Sequence, residues 1–220
     1  MKRKRILLSS CSVILACMAV IIGMTWALFT DSLSIKNHLQ AGDLAISLRR
    51  TNLEYCVLDS TGKLAVTKIE DDLDFTESSK NNVFGIDAEN MLIVPQSYFT
   101  AEMELVNGAN GKKNSIAFTY EVAIKLTSDA NDLSGQLKVT VKGADGKENT
   151  VILDQSKDKE VVLYKGEMLK TAEAQTFTVK VEFLNDADET TINNNLAQGQ
   201  FAEFDLIVTA TQSTAPTAQN

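Results

Sequence analysis

From Ile116 to Leu126 every second residue is large and apolar: Ile116, Phe118, Tyr120, Val122, Ile124 and Leu126 alternate with Ala117, Thr119, Glu121, Ala123 and Lys125. Only an extended strand places such a set on one side of the backbone, giving one dry face and one wet face. The same period returns at Leu44, Ile46 and Leu48, at Phe99, Ala101, Met103 and Leu105, and at Leu137, Val139 and Val141. It returns again at Phe177, Val179, Val181 and Phe183, and at Phe204, Leu206, Val208 and Ala210. Val151-Ile152-Leu153 and Val161-Val162-Leu163-Tyr164 are shorter apolar runs. Turn chemistry separates them: Asp59-Ser60-Thr61-Gly62, Asn107-Gly108-Ala109-Asn110-Gly111, Ser128-Asp129-Ala130-Asn131, and Ala144-Asp145-Gly146-Lys147, whose Asp-Gly pair suits a tight hairpin. Pro95 follows Met91-Leu92-Ile93-Val94 and is expected to begin the edge of the next strand. Only Glu70 to Lys80 and Asp188 to Gln198 leave room for a short helix or an open loop. The pattern predicts an all-β domain of about eight to ten strands, folded as an antiparallel two-sheet sandwich of jelly-roll or Ig-like type.

The amino terminus follows different rules. Lys2, Arg3, Lys4 and Arg5 precede an uncharged run of 24 residues, Ile6 to Phe29. As a helix that run is about 36 Å long, enough to cross a bilayer with its start held inside. It also reads as a secretory leader, with Thr25 and Ala27 as the small residues before a cut after Ala27. An uncleaved anchor competes, because the apolar stretch is long; a lipoprotein reading through Cys17 is poorer, because Leu15 is bulky. The expected organisation is a signal peptide over 1–27, an amino-terminal segment over 28–40, the sandwich over 41–212 and a polar tail over 213–220. Residues beyond Asp31 are expected outside the cytoplasm.

Cleavage would remove four of the 21 basic residues and none of the 29 acidic ones, moving the formal charge from −8 to −12. Such a surface repels nucleic acid and anionic lipid. It would also leave Cys56 as the single thiol and His38 as the single imidazole. One cysteine cannot close an internal disulfide, so Cys56 reads as a small buried hydrophobe within Leu53–Leu58. No His-Glu-x-x-His pair is present, and a zinc site generally draws on several His or Cys ligands. A Cys56–His38 nucleophilic pair would need an activating partner that neither neighbourhood supplies. The acidic clusters Glu70-Asp71-Asp72-Asp74 and Asp186-Asp188-Glu189 lack the spacing of a calcium loop and read as solvated. With aromatics at 6% of the chain, a sugar cleft lined by stacking rings is not indicated. The residues argue for no enzyme, no cofactor and no nucleic-acid partner.

Two stretches carry a likeness. Gly23-Met24-Thr25-Trp26-Ala27-Leu28-Phe29-Thr30-Asp31, followed by Ala41-Gly42-Asp43-Leu44-Ala45-Ile46, resembles the start of the secreted TasA, CalY and camelysin family of Gram-positive bacteria. At the far end, Asn193-Asn194-Asn195, Gln198-Gly199 and Ala210-Thr211-Gln212 are similar to that family's closing motifs. The middle departs, with Pro95-Gln96-Ser97 in place of Pro-Gly-Asp, while Asn107-Gly108 is retained. The resemblance implies recognition of Thr25, Trp26 and Ala27 by a signal peptidase of SipW type. It further implies a jelly-roll subunit of biofilm matrix fibres that joins itself head to tail, with possible accessory fibre proteins. Leu28, Phe29, Leu33 and Ile35 would be the apolar residues of a donor strand, laid into the next subunit's sheet. The alternatives are the same segment folding back onto its own sheet, a membrane-tethered binding module, and a metallo-peptidase of the camelysin name. No metal motif accompanies the last.

Overall fold

The computed structural model describes residues 28–37, 44–75, 83–84, 93–108, 114, 116–185, 194–197 and 199–212, with 28–37 described at the level of the backbone. Ten strands account for most of it: β1 (Leu28–Asn37), β2 (Ser47–Leu58), β3 (Leu64–Phe75), β4 (Tyr98–Val106), β5 (Phe118–Leu126), β6 (Leu137–Gly143), β7 (Glu148–Ile152), β8 (Val161–Met168), β9 (Ala174–Phe183) and β10 (Phe201–Gln212). They form a four-stranded sheet, in the order β1-β10-β5-β8, and a six-stranded sheet, in the order β3-β2-β4-β9-β6-β7. Every strand pairing is antiparallel except β1 with β10, which is parallel. The chain is therefore an all-β two-sheet sandwich. No helix of the described residues is long and apolar enough to cross a membrane; the leader, His38 and the tail lie outside them.

The period-two sets become the core. Phe99, Ala101, Met103 and Leu105 of β4, Phe177, Val179, Val181 and Phe183 of β9, and Leu137, Val139 and Val141 of β6 are buried from the larger sheet. Facing them are Phe118, Tyr120, Val122, Ile124 and Leu126 of β5 and Ala202, Phe204, Leu206, Val208 and Ala210 of β10. Fully burying one such side chain contributes about 1.5–3 kcal/mol, so these rows supply the bulk of the driving force.

The turns behave as their residues require. Asp59 accepts from the Thr61 backbone N–H (2.8 Å), the Thr61 hydroxyl (2.7 Å) and the Lys63 N–H (3.0 Å), and Gly62 takes φ +77°, closing the β2–β3 hairpin. Gly146, at φ +79°, closes β6 onto β7.

Four expectations need correction. Leu44 and Ile46 are buried, but the strand begins only at Ser47. The reason is a substitute partner: Asn114 accepts from the Ala45 N–H (3.0 Å) and its amide donates to the Ala45 carbonyl. A side-chain amide thus takes the place of a neighbouring strand. Similarly, Ile116 sits in a bend before β5, half-buried. Glu70 to Phe75 is neither helix nor loop but the second half of β3, paired with Leu48 to Asn52. Pro95 lies in a turn with Gln96 (φ +75°) ahead of β4, and β4 is an interior strand between β2 and β9.

Candidate functional site

The segment Leu28–Asn37 forms the outermost strand of the smaller sheet. Its ladder with β10 runs without a break from Leu28 opposite Phe201 to Asn37 opposite Ala210. Residues opposite one another across a ladder share a face. By register, Phe29, Leu33 and Ile35 fall opposite Ala202, Leu206 and Val208, the buried row of β10. Leu28 falls in the other phase, opposite the half-exposed Phe201. Three of the four residues singled out for a donor strand therefore belong to one row, with Asp31 interrupting it opposite Phe204, and the fourth does not. Thr25, Trp26 and Ala27 lie outside the described residues.

Two properties make this edge a candidate interface. Among the described residues β1 has a single neighbour, and its ladder is parallel, the slightly weaker arrangement. Its loss would turn β10 into an edge with unpaired N–H and C=O groups beside a buried apolar row. The start of β10 is firmly placed. Asn131 donates its amide to the Phe201 carbonyl (2.7 Å), and Gln200 accepts from the Leu133 N–H (2.9 Å) while donating to Asp132 (3.1 Å). Gly199, of the Gln-Gly motif, takes φ +73° two residues before the strand, a conformation that favours glycine. The bonds of Asn131 and Gln200 hold the start of β10 to the Asn131–Leu133 turn, independently of β1.

At the opposite flank of the same sheet, β5 and β8 carry a second feature that no sequence motif announced. The Tyr120 ring lies over Gly166, its partner across the ladder, where an added Cβ would sit 2.4 Å from the ring. Tyr164 lies over Gly143 of the other sheet, where a Cβ would sit 2.0 Å away. The two rings are 5.9 Å apart and tilted by 55°. The Tyr120 hydroxyl donates to Gln175 (2.8 Å), whose amide donates to the Glu167 carbonyl (2.7 Å). Burial pushes both phenols up, aided for Tyr120 by neighbouring Tyr164 and for Tyr164 by the charge of Asp145. Both stay neutral at physiological pH, which suits them to hold structure and not to act as bases. They border an open cavity of about 480 Å³ rimmed by Glu121, Lys165 and Glu167. The signal that would have found this place was two glycines inside strands, a usual mark of close approach.

Cys56 is a free, buried thiol, and among the described residues no group of three or more His, Cys, Asp or Glu side chains converges. The acidic residues Glu70, Asp72 and Asp74 lie along an edge strand instead of gathering in a loop. Comparison with known proteins returns no match: no protein family, no curated protein and no solved structure matches this chain.

Proposed function

We propose that the chain is a secreted structural protein, a TasA-like subunit of extracellular biofilm matrix fibres, with a sandwich of jelly-roll type. A signal peptidase of SipW type cuts after Ala27, and the freed segment from Leu28 enters the edge slot of the next subunit, beside β10. The single observation behind this reading is the place of β1. It is a terminal strand held by one parallel ladder, its apolar alternation in register with the buried row of β10. An extended partner at such an edge gains affinity from the backbone and register from alternate side chains. Head-to-tail contacts of this sort do not close, and filaments result.

A second reading has an observation of its own. The structure docks β1 on the same chain's β10, which also suits a monomeric surface module held by its leader. Ser32 and Asp205 are register partners and separate the two. Chains carrying only Ser32→Cys are mixed with chains carrying only Asp205→Cys and oxidised after secretion. Exchange gives disulfide-linked pairs between different chains in fibres seen by electron microscopy, and amino-terminal sequencing of the same sample starts at Leu28. Monomers with no cross-link, or an intact residue 1–27 segment, decide for the tethered module.

A further inference from the structure

Among the described residues the other long open edge is β3, at the border of the six-stranded sheet. Asp59 donates its N–H to the Lys63 carbonyl (2.8 Å) across the hairpin. Counting on by twos, the peptide groups of Ala65, Thr67 and Ile69 face β2, and those of Leu64, Val66 and Lys68 face outward. Side chains there are unusually greasy for an edge: Leu64 is 39% exposed, Val66 55% and Ile69 38%. Charge divides the strand in two. Lys68 lies in its first half, with Lys63 just before the strand, and Glu70, Asp71, Asp72 and Asp74 lie in its second. Lys68 is drawn back to Glu54 on β2 (2.8 Å), which leaves Leu64 and Val66 uncovered beside it.

We propose that β3 pairs with the β3 of a second copy, antiparallel and two-fold symmetric, centred on Val66. The charges select this arrangement. A parallel copy in register, or an antiparallel one centred on Asp72, sets carboxylate against carboxylate, and like charges directly opposite are destabilising. Centring on Val66 sends the two acidic halves to opposite ends. Val66 then meets Val66 of the other copy, Leu64 lies along the aliphatic stem of Lys68, and Lys63 lies opposite Ile69, so no two like charges face each other. The outward peptide groups of Leu64, Val66 and Lys68 find partners, which removes an unprotected edge. The contact is isologous and stops at two. It touches neither β1 nor β10, so it does not rest on strand exchange: chains that never exchange still pair, and exchanged fibres are joined side by side.

The test is sedimentation velocity on the purified full chain in mild detergent, over a range of concentrations. Wild type is expected to pass from monomer to dimer. Val66→Lys, which places two ammonium groups at the symmetry axis, is expected to weaken that association about tenfold, given the cost of facing like charges. Because Val66 is exposed, the melting temperature should hold. A second measurement does not depend on that variant: chains with Ala65→Cys, mixed with chains carrying Thr67→Cys, should form a disulfide across the axis in preference to either alone. Wild type that stays monomeric throughout, association unaffected by Val66→Lys, or no preferred cross-link overturns the proposal.

Discussion

Gly143 and Gly166 are the residues at which the smallest change has the clearest consequence. Each sits beneath a tyrosine ring with no room for a methyl group, so Gly143→Ala or Gly166→Ala must displace Tyr164 or Tyr120. Overpacking of this kind costs about 1–3 kcal/mol, and urea unfolding should show both midpoints lowered. Gly62→Ala is a useful contrast, since nothing lies within 4 Å of its Cβ and the strain comes from its φ of +77° alone. On the outer face of the larger sheet, Tyr98 donates to Glu54 (2.8 Å) under the charge of Lys180, 5.0 Å from its ring centre. The Glu54 carboxylate, aided by burial, pushes the Tyr98 phenol up to about 12. Ultraviolet titration of Glu54→Gln beside the wild type should accordingly show this one phenol ionising at lower pH in the variant.

At the scale of elements, Asn114 stands in for a strand. Asn114→Ala would leave the Ala45 N–H and C=O unpaired in a half-buried stretch, at a cost of roughly 1–3 kcal/mol. Hydrogen exchange should then quicken at Ala45 before it quickens in β4 or β9. The same residue explains why the sequence misleads here. Leu44, Ile46 and Leu48 keep period two and are all buried, yet alternation reports which side chains face inward and not what the backbone bonds to. Interior strands were legible because both neighbours hold them flat and one face is dry, as at Phe99–Leu105 and Phe177–Phe183. β3 was not, because an edge strand is wet on more than one side: Leu64–Lys68 and Asp72–Phe75 each alternate, but Lys68, Ile69 and Glu70 are exposed in succession and break the pattern between them. A bulge after Arg50 moves the buried phase of β2 onto Leu53, while Arg50 itself keeps step with Leu44, Ile46 and Leu48, is buried and donates to the Val83 carbonyl (3.0 Å). No periodicity argument anticipates a buried guanidinium in a strand.

For the molecule as a whole, cohesion between strands depends in part on carboxylates. Glu182 is ion-paired to Lys138 across the β6–β9 ladder (2.8 Å) and to Lys180 (3.2 Å). Burial pushes this carboxyl up, but the two lysines outweigh it and hold it below its ordinary 4.5. Glu54 is lowered by Lys68 first and Tyr98 second. A carboxylate depressed in the folded state lends stability that is present above its unfolded value and lost as pH falls through its folded one. Melting temperature should thus decline as pH drops below about 4.5, and Glu182→Gln should flatten that decline. What the sequence offered at the candidate site was a set of apolar residues, Leu28, Phe29, Leu33 and Ile35; the division of that set by register, with Leu28 opposite Phe201 and the others opposite the buried row of β10, emerges only from the fold.

That β1 and the flank of β10 are two different surfaces has one more consequence. In a fibre built by exchange, every subunit would point the same way, and the two tips would differ in kind. One tip would trail a free ribbon beginning at Leu28; the other would show a bare flank of β10. Growth would run at unequal speeds at the two tips, and a synthetic decapeptide copying residues 28–37 would arrest only the tip with the bare flank.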